Sequence, residues 1–325
     1  MTETVSHKIV TVGGGTGTFV VLSGLRRFND VDLAAIVSSA DDGGSTGRLR
    51  DAFGILPPGD ARQALVALAE EDTMLRTLFA YRFSKGDIAG HNFGNLFITA
   101  LSQLLGSDSA ALEEASRILR IKGRVLSVSD HPSQLLATLE DGTTIEGEHA
   151  IDDCAPGRSR IKTLALTEKK IISEAASETI RTADMIVLGP GDLYTSTIAA
   201  LLHEGAQEAI RASIGKLVYI LNLFTKTGQT EDYSAMMHVA EVERYAGRKI
   251  DAILVSTNSF PVETISRYAK EGEYEIVDDL GTDSRVHRLS LASLAIVPPV
   301  PEDPVPRSLV RHDAAKLADA LMSLL

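Results

Sequence analysis

Two glycine-rich loops hold the residues of this chain whose types best suit a phosphorylated ligand. The first, at 13–17, follows the apolar run 9–12, and the second, at 41–48, follows the apolar run 33–37. Glycines let the backbone turn tightly and bring its N–H groups against phosphate oxygens. The second loop adds two carboxylates, two hydroxyls and an arginine, which is more than a turn needs. The sequence therefore predicts a site for a phosphorylated ligand. The alternative for the first loop is a tight turn between a strand and a helix that binds no ligand.

Three more polar segments lie beside apolar runs. They are 189–196 and 222–230, which come after such runs, and 90–95, which comes before an apolar helical pattern. Because parallel strands end at one edge of a sheet, where open α/β folds bind ligands, we expect these segments to form one rim. The predicted ligand-binding residues are Gly13, Gly14, Gly15, Thr16, Gly17, Asp41, Asp42, Gly43, Gly44, Ser45, Thr46, Arg48, His91, Asn92, Asn95, Gly189, Gly191, Asp192, Leu193, Tyr194, Thr195, Asn222, Thr225 and Thr230.

The two adjacent carboxylates of the second loop are candidates for a cation or a hydroxyl. Asp41 and Asp42 could hold a divalent cation that bridges phosphates, or a sugar hydroxyl, the alternative being helix capping. Neighbours in an extended loop point opposite ways, so we expect one of them, Asp42, to face the ligand and to bind magnesium if a metal takes part. Arg48 could clamp a phosphate through two hydrogen bonds. Asp60, which opens a helical pattern, has helix capping as its simplest role.

No arrangement of residues predicts a catalytic centre. His91 could serve as a general base, the alternative being a structural histidine, while Asn92 and Asn95 offer uncharged hydrogen-bonding groups. The chain has no nucleophile elbow, no zinc-protease motif and no cysteine cluster. We therefore assign no catalytic residue and expect a binding rim.

Composition limits the class of protein. The formal net charge of −12 argues against broad binding to nucleic acid or anionic membranes. The single cysteine, Cys154, excludes an internal disulfide framework and suits a reducing compartment. No targeting signal and no apolar run of about 20 residues is visible, so we expect a cytoplasmic protein without membrane insertion.

Apolar runs alternate with helical patterns along the chain, which predicts an α/β fold with a doubly wound, mostly parallel Rossmann-like sheet. Strands are predicted at 9–12, 33–37, 184–188, 217–221, 251–256 and 292–297. Helices are predicted at 18–28, 60–71, 73–82, 94–105, 110–119, 196–212, 230–246, 261–271 and 312–324.

One segment, about 122–166, breaks this alternation. Short runs at 125–128, 135–139 and 143–146 surround Asp141-Gly142, a dipeptide typical of a hairpin turn. We interpret 122–166 as a small antiparallel β-hairpin insertion in a single Rossmann-like domain that spans 1–325. A rigid proline-rich loop is predicted at 298–306, before the last helix.

Taken together, these motifs resemble the YvcK-type gluconeogenesis factor family, within the wider group that includes the 2-phospho-lactate transferase CofD. The resemblance covers nearly the whole chain. Its carrying segments are 13–17, 39–50, 57–62, 91–96, 189–196 and 311–313. The sequence departs from the family at Asp192, where a serine is more usual, and at Lys226 and Gln229, which vary a Thr-Gln-Pro-Gly-Glu-Thr turn.

The resemblance implies a Rossmann-like core that binds a nucleotide-activated sugar, UDP-N-acetylglucosamine. It also implies a bacterial role in carbon-source adaptation, cell shape and control of cell-wall precursors, with no established reaction. The resemblance further implies that Tyr268 and Arg311 contribute to the nucleotide-sugar pocket.

Three functional readings stay open. The leading one is a regulatory, non-catalytic binder of a UDP-sugar, with no required cofactor and with regulatory protein partners. The second is a magnesium-dependent, CofD-like phospho-transferase in which Asp41 and Asp42 hold the metal. The third is an NAD-dependent enzyme, for which the glycine fingerprint is imperfect because Thr18 stands where the third glycine would fall. A homo-oligomer is compatible with each.

Overall fold

A central parallel sheet and a small antiparallel sheet form the β structure of this protein. The computed structural model describes residues 6–70, 74–153, 157–293 and 309–325. The strands in these ranges are β1 (His7–Val12), β2 (Val31–Val37), β3 (Arg124–Ser127), β4 (Leu135–Leu139), β5 (Thr144–Glu146), β6 (Ile161–Leu166), β7 (Met185–Leu188), β8 (Lys216–Ile220), β9 (Ala252–Ser256) and β10 (Val286–Leu289). Cys154 and the proline-rich segment 298–306 lie outside the described residues.

The α-helices in the same ranges lie between these strands and after the last one. They are α1 (Gly15–Leu25), α2 (Gly44–Phe53), α3 (Pro58–Leu68), α4 (Met74–Ala80), α5 (Phe93–Leu105), α6 (Asp108–Leu119), α7 (Glu148–Asp152), α8 (Glu174–Arg181), α9 (Ala206–Ala212), α10 (Ala235–Ala246), α11 (Val262–Lys270) and α12 (Ala314–Met322). None of the helices that the structure describes is long and apolar enough to cross a membrane.

The central sheet has seven strands in the order β10-β9-β8-β7-β1-β2-β3, and all of its neighbouring pairs are parallel. The chain builds outward from β1 to β3, then returns to the other side of β1 with β7. Val12, at the end of β1, lies opposite Ile36 on one side and Leu188 on the other. The order therefore reverses between β1 and β7, which is where doubly wound folds bind ligands. The predicted fold class is confirmed.

The core has two layers, one on each face of the central sheet. Alternate residues of β1 point to opposite faces, so Val10 and Val12 pack in one apolar cluster and Ile9 packs in the other. Strands buried on both faces read as continuous apolar runs, which is why β1, β2, β7, β8 and β9 were predictable.

The expected insertion is divided between the two sheets. Strand β3 pairs in parallel with β2, with Ala35 opposite Val125, so the prediction that 125–128 belongs to the antiparallel insertion is wrong. The rest forms the small sheet in the order β5-β4-β6, and both of its pairs are antiparallel. The hairpin turn at Asp141-Gly142 is confirmed, since Thr143 N donates to Asp141 Oδ1 at 2.8 Å and Gly142 has a φ of 89°.

Several predicted elements differ from the observed ones. The single helix predicted at 196–212 is a π-helical turn (Leu193–Ile198), a 3₁₀ turn (Ala199–Leu201) and then α9, because Gly205 interrupts it with a φ of 92°. The strand predicted at 292–297 is, in its described part, an isolated bridge between Ala292 and His312. Helices α2, α7 and α8 and strands β6 and β10 were not predicted, and they are short or largely polar.

Candidate functional site

The first glycine loop lies at the switch point, where two other segments approach it closely. Asp60 Oδ1 accepts a hydrogen bond from Gly15 N at 2.8 Å, at the start of α1. A Cβ at Gly14 would lie 1.8 Å from Asp60 Oδ2, and a Cβ at Gly17 would lie 1.8 Å from Pro190 O. These glycines are therefore required by the approach of α3 on one side and of the turn after β7 on the other.

An open pocket with an empty volume of about 690 Å³ adjoins this loop at the carboxyl ends of β1, β7 and β8. It brings together residues from five separate parts of the chain. Among the predicted site residues, those that line it are Thr16, Gly17, Gly191, Asp192, Asn222, Thr225, Tyr268 and Arg311.

Two hydrogen-bond acceptors in residues that line this pocket are buried without a protein partner. Asn222 Nδ2 donates to Gly191 O at 2.7 Å, which leaves Asn222 Oδ1 unpaired. His312 bonds to the Leu221 carbonyl, and its Nε2 is unpaired. Burial lowers the pKa of His312 to about 4, so the ring is neutral at pH 7 and Nε2 carries a lone pair. Buried polar atoms are almost always satisfied, so these two call for N–H or O–H groups from an occupant.

The aromatic side of the pocket is held rigid. The rings of Tyr268 and Phe224 stack with centroids 3.9 Å apart and an interplanar angle of 11°. The Tyr268 hydroxyl accepts a hydrogen bond from Val310 N at 3.1 Å. Tyr268 thereby connects α11 to the segment that carries Arg311 and His312.

Lys226 places a positive charge among carboxylates at the pocket wall. Its Nζ lies 3.3 Å from Glu273 Oε1. Burial by itself would lower the pKa of Lys226, but the charges of Asp192 and Glu273 outweigh it and raise the pKa to about 12. Lys226 and Asp192, which the resemblance led us to expect as departures from the family, thus compensate each other's charge.

Gln229, the third residue expected to depart from the family, is matched to a nearby carboxylate. Gln229 Nε2 donates to Asp152 Oδ1 at 2.5 Å, and Thr195 Oγ1 donates to the same oxygen at 2.9 Å. Burial, and then the charge of Asp192, raises the pKa of Asp152 to about 7. An amide at position 229 can donate to this oxygen, whereas a glutamate could not do so when ionised.

A group of buried carboxylates lies next to the first glycine loop. Asp41 shares a hydrogen bond with Glu148 of α7, and burial is the largest cause that raises the pKa of each. Burial, followed by the charge of Asp41, raises the pKa of Asp60 to about 7. Across the ranges given above, no three His, Cys, Asp or Glu side chains are arranged as a metal site. The group has carboxylate oxygens of the kind that magnesium prefers, and its pKa values are raised first by burial and then by neighbouring negative charge.

Asp41 and Asp42 both contact the start of α7, through different groups. Asp41 faces Thr46 and Glu148, whereas Asp42 Oδ1 accepts from His149 N at 2.8 Å, near the start of α7. Glu148 and Asp152 were missed by sequence reasoning. The signal available was their spacing of four residues, which puts both on one face of a helix, but the segment was interpreted as a hairpin.

The second glycine loop meets the segment 90–95 away from the pocket. Ser45 Oγ and His91 Nδ1 are 3.0 Å apart, and Asn95 Nδ2 donates to Ser45 Oγ at 3.4 Å. Burial lowers the pKa of His91, and the positive charges of Arg48 and Arg82 lower it further. A hydroxyl–imidazole pair is present here, but its neighbours are cations and not the carboxylate that would make the imidazole a stronger base.

Some predicted residues have structural roles in the described structure. Asn92 caps α5, since its Oδ1 accepts from Gly94 N at 2.9 Å. The side chains of Leu193 and Tyr194 are buried in the core, where Tyr194 and Tyr233 hydroxyls are 2.8 Å apart. Thr230 Oγ1 accepts from Lys226 N at 2.8 Å and closes the turn after β8. These residues position the loops whose other members face the pocket.

The chain is similar to several known proteins over nearly its whole length. A family model described as 2-phospho-L-lactate transferase CofD matches residues 9–294. A gluconeogenesis factor of Listeria innocua is 38% identical over 330 residues, which cover 100% of this chain and 98% of the relative. A gluconeogenesis factor of Bacillus subtilis is 37% identical over 326 residues, which cover 98% of each. A crystal structure of a upf0052 family protein from Bacillus halodurans matches with a TM-score of 0.88 and 35% identity, over 98% of this chain and 100% of that one.

Proposed function

The chain belongs to the CofD family, and we propose that it is a gluconeogenesis factor that binds a nucleotide-activated sugar without converting it. The ligand we propose is UDP-N-acetylglucosamine, bound in the pocket at the switch point. The bound and free states would be read by regulatory protein partners in the cytoplasm, with effects on carbon-source adaptation, cell shape and the supply of cell-wall precursors.

The observation that carries this proposal is the pair of unpaired acceptors, Asn222 Oδ1 and His312 Nε2. A uracil ring offers an imide N–H, and a ribose offers two hydroxyl donors, so a uridine nucleotide can satisfy both atoms. A pocket that presents acceptors beside Asp192 and Glu273 suits the imide N–H of the base and the hydroxyls of the sugar better than it suits a phosphate.

The second glycine loop, away from the pocket, is the proposed site of the diphosphate. Helix α2 starts after Gly43 with no side-chain cap, so its first N–H groups are available to an anion, and Arg48 lies within that helix. Arg311 adds a second guanidinium from the pocket wall. These groups would bind phosphate oxygens while the acceptors bind the nucleoside.

The absence of turnover is supported by the chemistry of the described rim. The Ser45–His91 pair lies away from the pocket and lacks a carboxylate partner on the imidazole, and in the described ranges no hydroxyl–imidazole pair lines the pocket. The test is calorimetric titration with UDP-N-acetylglucosamine, with and without magnesium, followed by product analysis of the same sample. Saturable binding with intact ligand would support the proposal, and released UDP or UMP would refute it.

A magnesium-dependent transferase is the second candidate, and the buried carboxylates favour it. Asp41, Asp60 and Glu148 are not arranged as a metal site in the described structure, but a cation that enters beside them would neutralise their charge. When bound, the cation would neutralise charge on a diphosphate. The discriminating variant is Asp41→Asn, because loss of metal-dependent ligand binding would favour the transferase and unchanged, metal-independent binding would count against it.

A further inference from the structure

A chain of hydrogen bonds runs from Arg62 of α3 to the imidazole of His91. Arg62 Nε donates to Asn95 Oδ1 at 3.0 Å. Asn95 Nδ2 donates to Ser45 Oγ at 3.4 Å, and Ser45 Oγ lies 3.0 Å from His91 Nδ1. Arg62, Asn95 and Ser45 are buried, whereas His91 is partly exposed. The hydrogen-bond chain therefore begins inside the protein and ends at its surface, beside the second glycine loop.

The guanidinium at the start of this hydrogen-bond chain is fitted closely to its surroundings. A Cβ at Gly94 would lie 2.8 Å from Arg62 Cγ and 2.9 Å from Arg62 Cδ, so the glycine makes room for the arginine stem. Burial raises the pKa of Asp60, and the charge of Arg62 partly opposes that rise. A buried cation is costly unless hydrogen bonds and an opposite charge compensate it. Asn95 and Asp60 supply both for Arg62.

The direction of each hydrogen bond follows from this first member. A guanidinium can only donate, so the amide oxygen of Asn95 faces Arg62 and the amide nitrogen faces Ser45. Ser45 Oγ therefore accepts from Asn95. Its own hydrogen needs an acceptor, and within the described ranges His91 Nδ1 is the other group bonded to Ser45 Oγ. The hydroxyl thus donates to Nδ1, which leaves the proton of the neutral ring on Nε2.

The surroundings of His91 keep its ring neutral. Burial lowers the pKa of His91, and the positive charges of Arg48 and Arg82 lower it further. Arg82 Nη1 donates to Gly90 O at 2.8 Å, and a Cβ at Gly90 would lie 3.2 Å from Arg48 Nη2. Both guanidinium groups thus meet the residue that precedes His91. A neutral N–H donor beside two cations suits an anionic oxygen.

We propose that Arg62 is a positioning residue. Through Asn95 and Ser45 it fixes His91 as the Nε2–H tautomer, which presents an N–H donor to an anionic oxygen. This inference rests on the proposed function in one respect, since it takes the anion to be the diphosphate at the second glycine loop. It also gives His91 a role other than general base. A base needs a ring lone pair toward the ligand, whereas the lone pair of His91 is held by Ser45.

The test is NMR of the full chain with isotope-labelled histidine, in which long-range couplings between ring protons and ring nitrogens distinguish the two neutral tautomers. The His91 signals are identified by their loss in His91→Asn. In the wild type near pH 8 we expect the ring proton of His91 on Nε2. The measurement needs no ligand, so its outcome does not depend on whether UDP-N-acetylglucosamine binds.

Two variants change the hydrogen-bond chain in different ways. Asn95→Asp is nearly isosteric and offers only acceptors when ionised. Ser45 would then donate to the new carboxylate and accept from His91, so the ring proton is expected to move to Nδ1. Arg62→Met keeps much of the stem but removes the donor that orients the amide of Asn95. That amide is then free to turn over, and a mixture of the two tautomers is expected.

The matched control is Arg76→Met. It removes another partly buried guanidinium, which donates to Val66 O at 3.0 Å and is not part of the hydrogen-bond chain, so the wild-type tautomer is expected to remain. The signals of His203 and His312, which are buried elsewhere, show whether each variant is folded.

The possible results decide the proposal. The supporting result is Nε2–H in the wild type and in the control, with reversal in Asn95→Asp and a mixture in Arg62→Met. A wild type with the proton on Nδ1 would overturn the proposal, and so would an unchanged tautomer in Arg62→Met. If Arg62→Met does not fold, Asn95→Asp decides, because an unchanged tautomer there would contradict the direction of the hydrogen bonds.

The donor role is tested in the same spectra with pyrophosphate and no magnesium. We expect a saturable shift of the His91 Nε2–H signal in the wild type, and an affinity about 10-fold or more weaker in Asn95→Asp, which loses the donor and adds a negative charge. No shift of this signal would overturn the donor role. Pyrophosphate carries no uridine and no sugar. A shift with pyrophosphate but no binding of UDP-N-acetylglucosamine would therefore support the inference and count against the proposed ligand.

Discussion

Asp60 lies in the first turn of α3, yet its carboxylate caps a different helix, α1, by accepting a hydrogen bond from Gly15 N at 2.8 Å. A residue that the sequence suggests as the cap of its own helix thus holds the first glycine loop in place. Burial, and then the charge of the neighbouring Asp41, raises the pKa of this carboxyl group to about 7.

Replacing Asp60 by Asn should reduce the pH dependence of stability. Burial raises the pKa of Asp60 from 3.8 to about 7, so the folded state holds a proton that the unfolded chain releases. This contribution to stability is complete below about pH 4 and is lost as the pH rises through about 7. We expect Asp60→Asn to be more stable than the wild type by about 1–3 kcal/mol near pH 8, with little difference near pH 4. Urea unfolding at the two pH values measures this, and equal slopes of stability against pH would contradict it.

Two glycines that precede helices should respond differently to alanine. Gly14 and Gly43 are both N-cap residues without a side-chain cap and without a positive φ. A Cβ at Gly14 would lie 1.8 Å from Asp60, whereas a Cβ at Gly43 would lie 3.5 Å from Asp41. We expect Gly14→Ala to lower the free energy of unfolding by about 2–4 kcal/mol and Gly43→Ala to change it by less than about 1 kcal/mol. Similar losses in both variants would show that the space available for a Cβ does not explain the requirement for glycine in the first loop.

Removing the His312 acceptor should weaken ligand binding. His312→Leu removes the unpaired Nε2, and we expect affinity for UDP-N-acetylglucosamine to fall by about 10–100-fold. The matched control is His238→Leu, since His238 is also buried with an unpaired Nε2 but does not line the pocket. Calorimetry on both variants makes the measurement. An equal loss of affinity in both variants would indicate a general folding effect. No loss of affinity in His312→Leu would show that His312 Nε2 does not take part in ligand binding.

A carboxylate at position 229, which the resemblance led us to expect there, should destabilise this protein. Gln229→Glu places a second carboxylate against Asp152 Oδ1, where the amide now donates at 2.5 Å. Because the pKa of Asp152 is already raised to about 7, the two groups can share a proton near pH 5 but repel near pH 8. We expect a loss of about 1–3 kcal/mol near pH 8 and a smaller loss near pH 5, measured by thermal unfolding. The double variant Gln229→Glu/Asp152→Asn should recover most of the stability that Gln229→Glu loses near pH 8.

The parts of the fold that sequence predicted are those that local chemistry determines. Strands β1, β2, β7, β8 and β9 are continuous apolar runs, and Asp141-Gly142 has the conformation that its residue types favour. The run 125–128 was assigned to the wrong sheet because its partner, β2, is about ninety residues away and a short run does not identify its neighbour.

The site was predicted where glycines and loop ends mark it, and missed where tertiary contacts create it. Asn222, Tyr268 and Arg311 meet in the pocket as expected. Asp152 acquires its role only because Thr195 and Gln229, distant in sequence, point at it. Burial and the resulting pKa shifts belong to the folded environment and have no local signature.

The short helix α7 reaches both halves of the sheet, with Glu148 bonded to Asp41 and Asp152 bonded to Thr195. Since burial raises the pKa of both Asp60 and Asp152 to about 7, the region is partly protonated at neutral pH. An anion that enters beside these groups should therefore draw protons from the buffer, and the measured heat of binding would change with the ionisation enthalpy of the buffer. If the proposed ligand binds here, occupancy of the site would depend on pH as well as on ligand concentration, so the two would be coupled at a single site.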